Sequence, residues 1–157
     1  MNLPDFQKLY DDFSKMDTTR KSLLKRAAEP GDLLEIPAFY ELYRKHLEQP
    51  EQRNGLLRMV FCLPYIEHLT DGRSLGSALA APGKDGRSKI SEKRVIQISR
   101  IDDNDKAMVQ LRRALKHAEP VLDWIKAGKT IWYWGKNSRR QMLEDYFMAQ
   151  PSQTTSK

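Results

Sequence analysis

At 157 residues the chain is the size of one domain, or of two small lobes sharing a core, and with 39% hydrophobic and 31% charged residues it is polar without being disordered. No apolar run approaches the ~20 residues that span a bilayer. The start MNLPDFQKLYDD has no basic stretch leading into an apolar one, and the single cysteine, Cys62, excludes an internal disulfide and a Cys-rich zinc site, so the expected compartment is the cytoplasm. The net charge of +6 is unevenly placed: residues 1–83 hold 11 Lys/Arg against 12 Asp/Glu, whereas residues 84–157 hold 16 against 9. That asymmetry points to an anionic partner. Nucleic acid is the commonest; an acidic protein surface and anionic lipid stay open.

Taken in order, Phe6, Leu9, Tyr10, Phe13 and Met16 recur at helical spacing and predict an amphipathic helix over 4–16. After the cap-rich Asp17-Thr18-Thr19, a second helix turns Leu23, Leu24, Ala27 and Ala28 inward and is ended by Glu29-Pro30-Gly31-Asp32. Pro37 suits the first turn of a third helix, which buries Phe39, Tyr40, Leu42 and Tyr43. A polar connection over 49–54 precedes Gly55 to Leu63, whose nearly unbroken apolar side chains predict a central, buried helix. Pro64 turns the chain. A short helix over 74–81 lies between two loop signals, and the second, Pro82 to Gly86, is the expected boundary between an N-terminal lobe (1–83) and a basic C-terminal lobe (84–150).

In the second lobe, Ser91 is the expected N-cap of a helix burying Val95, Ile98 and Ile101, with Ile90 and Val95 as a hydrophobic staple. Lys93, Gln97 and Arg100 run along another side of it. The next helix, from an Asn104 N-cap flanked by Asp103 and Asp105, buries Met108, Leu111, Leu115 and Ala118, while Lys106, Gln110, Arg113 and His117 form a stripe without an acid. Arg112 and Lys116 sit beside that stripe, one turn apart. If the two helices pack together, their polar stripes merge into one basic groove; the plain alternative is a solvated charged face. Glu119-Pro120 ends the helix, and Pro120 is placed to open another that buries Val121, Leu122, Trp124 and Ile125. Ala127-Gly128-Lys129 reads as a stop, Ser138 to Gln141 has capping-box spacing, and the last helix buries Met142, Leu143, Tyr146 and Phe147. The polar residues from Pro151 to Lys157 are expected to be a disordered tail. No strand alternation or hairpin signal is present. The predicted fold is all-α, a bundle of about eight to nine helices in two lobes.

Bond-making chemistry leaves few traces. His46, His68 and His117 lack ligand spacing. Counted from Asp103, a calcium loop would need glycine where Met108 stands and glutamate where Ala114 stands; helix capping explains the aspartates better. Cys62 has no adjacent base. No catalytic residue, metal site or cofactor is therefore expected. Binding chemistry is better represented. Arg, Lys and Gln suit phosphate contacts, and Trp132, Tyr133 and Trp134 stand beside Lys136, Arg139 and Arg140, either as stacking platforms for single-stranded bases or as core rings.

Several of these stretches resemble the CasB family, the small subunit of the type I-E CRISPR surveillance complex, Cascade. The matching segments are IPAFY at 36–40, LLRMVFCL at 56–63, SLGSALA at 74–80, MVQLRRALKHAEPVLDW at 108–124, WYWGK at 132–136 and LEDYF at 143–147. The resemblance implies a non-catalytic helical subunit in two lobes, present as a pair beside the large subunit and the guide-bearing backbone. It further implies contacts with guide RNA and with single-stranded DNA, and a role in holding the displaced strand so that the R-loop is favoured. Carried over position by position, Arg113 matches a DNA-contacting site with Arg112 next to it, and Arg100 and Lys136 match basic sites. A basic position before LLRM is Glu51 here, with Arg53 as the nearby substitute, and a second cation after WGK is Asn137. The expected nucleic-acid-binding residues are Arg100, Arg112, Arg113, Lys116 and Lys136, followed by Arg53, Arg139 and Arg140. A protein-docking spacer stays open as a second reading. A stand-alone helix-turn-helix regulator is disfavoured by the acidic Asp102-Asp103 turn, which would repel phosphate.

Overall fold

Asp5 accepts the Lys8 amide and so starts α1 (Phe6–Lys15), which buries Phe6, Leu9 and Phe13 as the spacing requires. In the computed structural model, which describes residues 3–151, the chain continues through α2 (Thr18–Leu24), a 3-10 turn at Pro30–Glu35, α3 (Phe39–His46), a 3-10 turn at Pro50–Gln52 and α4 (Arg53–Cys62). After a 3-10 turn at Leu63–Tyr65 come β1 (Glu67–His68), α5 (Leu75–Leu79), α6 (Glu92–Arg100) and α7 (Asn104–Ala118). Then follow β2 (Val121–Leu122), α8 (Trp124–Tyr133) and α9 (Lys136–Ala149). The described residues are thus all-α apart from two residues in each short strand. The expected tail lies outside the described residues beyond Pro151.

α4 is the centre. Leu56, Leu57, Met59, Val60, Phe61 and Cys62 are all buried on it, and it packs on α7 and α8. Burial of each large aliphatic side chain contributes about 1.5–3 kcal/mol, so this one helix anchors much of the core. The same hydrophobic cluster runs from Phe6 on α1 to Tyr146 on α9. Tyr146 is fully buried and donates its hydroxyl to the Ile90 carbonyl at 2.6 Å. α5 meets α9 at Gly76, where a Cβ would overlap the Met142 carbonyl oxygen.

Several local expectations are corrected. Pro120 does not open a helix: its carbonyl accepts the Glu67 amide at 3.1 Å, and Val121–Leu122 pair in parallel with Glu67–His68. Leu122 is buried but Val121 is exposed. α8 begins instead at Trp124, where the buried Asp123 carboxylate accepts the Ile125 and Lys126 amides. Gly128 lies inside α8, not at its end. A Cβ there would come within 3.1 Å of both Met59 and Phe6, so the glycine serves close helix packing. α7 is capped one residue early, by Asp103. α9 starts at Lys136 and leaves Phe147 exposed. Pro30–Gly31–Asp32 forms a capped 3-10 turn, with the Asp32 carboxylate accepting the Ala28 and Glu29 amides.

Candidate nucleic-acid interface

α6 presents its apolar edge, Val95 and Ile98, to the core because Ser91 fixes where the helix starts by accepting the Arg94 amide. α7 does the same with Met108, Leu111, Leu115 and Ala118, all buried. With those edges inward, the two polar stripes face one another. Lys93, Arg94, Gln97 and Arg100 of α6 and Gln110 and Arg113 of α7 line one groove of about 820 Å³, with Ile98 and Ile101 also in its lining. Four of those side chains are cations and none is an acid. Arg100 and Arg113 are exposed. Spacing foretold five of the polar residues, Arg94 excepted; it lies one position along the helix from Lys93 and only half-exposed.

The paired arginines of α7 part company. Arg113 turns into the groove. Arg112, half-buried, lays its guanidinium carbon 3.9 Å from the centre of the Phe61 ring and donates Nη1 to the Ala27 carbonyl. Burial lowers its pKa from the ordinary arginine value, with the Tyr65 side chain acting in the opposite direction. Arg58, which is not among the expected residues, is similarly engaged. Its Nε donates to the Ile131 carbonyl at 3.0 Å and its Nη2 to the Trp132 carbonyl, satisfying the last turn of α8. Desolvation lowers its pKa as well. An arginine inside an apolar run was the only signal available.

The remaining expected residues lie elsewhere. Lys116 lines a second pocket with Lys25, Tyr65, Glu67 and Glu119. Arg53 stands with Arg58, Asn104 and Asp105 at the start of α7. Lys136, Arg139 and Arg140 are in the first two turns of α9, which opens at Gly135 with no side-chain cap and no acid in its first turn. None of them lines the α6–α7 groove. Of the aromatic triplet, Trp132 and Trp134 are buried and Tyr133 is 58% exposed, so only Tyr133 is free to stack. Gly55 admits the Trp132 ring: a Cβ there would be 2.7 Å from it.

The described residues contain no group of three or more His, Cys, Asp or Glu able to hold a metal, and none of their helices is long and apolar enough to cross a membrane. Fold and groove together define a small all-α protein whose chemistry is the presentation of charge. Comparison with known proteins makes this specific. The family model for CRISPR-associated protein Cse2 matches residues 20–147. The Cascade subunit CasB of Escherichia coli (strain K12) is 41% identical over 155 residues, covering 92% of this chain and 93% of that one. A chain in the crystal structure of E. coli Cascade bound to a PAM-containing double-stranded DNA target superposes with a TM-score of 0.86 at 41% identity, over 94% of this chain and 97% of that chain. The chain belongs to the Cse2 (CasB) family, non-catalytic small subunits of type I-E Cascade.

Proposed function

We propose that this chain is the small subunit of a Cascade complex in the cytoplasm and that its α6–α7 groove holds the sugar–phosphate backbone of a displaced DNA strand without reading its bases. The observation that carries this is the acid-free groove with Arg100 and Arg113 exposed in it. Arginine, lysine and glutamine donate to phosphate oxygens whatever the base sequence. R-loop exchange is nearly balanced in free energy, so a few backbone contacts are enough to tip it. Arg100 and Arg113, with Lys93 and Arg94, form the main contact. Lys136, Arg139 and Arg140, outside the groove, form a separate cationic site near Tyr133, at a helix start with no side-chain cap and no acid in its first turn, which also favours an anion. Lys116 and Arg53 serve as outlying cations, and Arg112 holds α7 on α4. In this role the partners are the large subunit, the guide-bearing backbone, a second copy of the chain, guide RNA and single-stranded DNA, with residues 84–150 as the basic lobe.

Fluorescence polarisation tests this with the purified chain, labelled single strands of differing sequence, and rising salt. Arg100→Gln/Arg113→Gln should lower affinity by similar factors for every sequence and reduce the salt slope by about two phosphate contacts. A loss confined to one base sequence would overturn the backbone clamp. Docking on a partner protein is the second reading for α9, where the apolar side chains of Phe147 and Met148 are 41% and 82% exposed.

A further inference from the structure

Another concave site lies on α1, α2 and α3, in the half of the chain whose net charge is slightly negative. It is a cleft of about 420 Å³, with the buried Met16 and Leu42 in its lining. Its polar lining has both signs. Arg20 is neutralised at once by Glu41, at 2.5 Å, and by Asp17, at 3.4 Å. Asp12 is held by the buried His46, Oδ2 to Nε2 at 2.8 Å. That leaves Lys15, Arg44 and Lys45. All three are exposed, and among the described residues no carboxylate lies within 4.0 Å of them. Arg44 donates Nε only to the Tyr40 carbonyl one turn back, at 3.3 Å.

We propose that this cleft docks a carboxylate-bearing segment of a partner protein, with Lys15, Arg44 and Lys45 receiving the carboxylate. The mixed lining chooses between a protein and a nucleic acid. A strand with a charge on every nucleotide would bring phosphates against Glu41 and Asp12, a repulsion the α6–α7 groove avoids by having no acid. A polypeptide carries its charges singly. It can place one acidic side chain among the three cations and an apolar neighbour against Leu42 and Met16. The Arg20–Glu41 and His46–Asp12 pairs keep the surrounding charges fixed, so the three unpaired cations stay available.

The test is a titration of the uniformly ¹⁵N-labelled full chain, first with a short peptide, blocked at both ends, that carries one glutamate beside a leucine, and separately with oligothymidylate. The peptide should shift backbone amides around the cleft on α1 and α3, and Lys15→Gln/Arg44→Gln/Lys45→Gln should weaken that response roughly tenfold. Oligothymidylate should shift α6 and α7 equally in parent and variant. The three side chains are exposed and without carboxylate partners, so the variant keeps its fold, which its spectrum in the absence of either ligand verifies. Cleft amides that respond to oligothymidylate as strongly as to the peptide would overturn the protein-docking assignment. So would cleft amides that stay still with the peptide, or a variant that binds it as well as the parent.

Discussion

The guanidinium of Arg112 stacks 3.9 Å from the centre of the Phe61 ring; the next residue, Arg113, faces open groove. Two adjacent arginines therefore do different work. Arg112→Ala removes a cation–π contact and leaves the Ala27 carbonyl without its donor, a loss of about 2 kcal/mol of stability by chemical denaturation. Arg113→Ala should stay within about 0.5 kcal/mol of the parent while weakening single-strand binding. Equal stability losses in the two variants would contradict the division.

Arg58→Met keeps the length of the side chain and removes both hydrogen bonds to the end of α8. Those bonds come from a charged donor, half-buried, to the Ile131 and Trp132 carbonyls. The expected cost is about 2–3 kcal/mol, read as a lower denaturation midpoint with unchanged denaturant slope. Strand binding at a temperature where the variant is folded should match the parent, since Arg58 does not line the groove.

Gly76→Ala should be among the most damaging single-methyl additions in the chain. The added carbon would meet the Met142 backbone oxygen, which cannot rotate aside as a side chain could. Separating α5 from α9 costs about 3 kcal/mol. Gly31→Ala, where nothing lies within 4 Å, is the control and should leave the thermal midpoint nearly unchanged.

Cys62 is fully buried, and desolvation pushes its thiol up from 9.0 to about 12, against a smaller opposing effect of the Arg112 and Arg58 charges. At pH 8 the folded chain should resist alkylation by iodoacetamide, and the unfolded chain should react. Between pH 9 and about 12 the unfolded thiol gives up its proton while the folded one keeps it. The thiol's contribution to stability is therefore complete below pH 9.0 and is lost as pH rises through that window. Cys62→Ala should show a shallower alkaline loss of stability than the parent.

The helical faces were legible because burial leaves a period: every apolar residue assigned to the α7 stripe is buried. The groove followed from two such faces, since fixing the inward edge fixes the outward one. What spacing could not supply was partnership at a distance. The separation of Arg112 from Arg113 depends on Phe61 and on Ala27, far off in sequence. β1 and β2 were missed because two residues give no alternation to read. Gly128 looked like punctuation, but its reason is the proximity of Phe6 and Met59. Lys136, Arg139 and Arg140 were grouped by sequence with the aromatic triplet, two of whose rings went to the core.

Glu67–Val121 and His68–Leu122 tie the exit of α7 to the segment that follows α4. Close by, Lys89 donates to the Ala118 carbonyl at 3.0 Å, and His68 Nδ1 accepts the Trp124 amide at 2.9 Å. α7 is thus fastened at its end as well as along the face it packs on α4, rather than hung from a loop. A strand drawn along the groove would pull against the central helix through these ties, and the load would spread into the core instead of bending the surface that grips it.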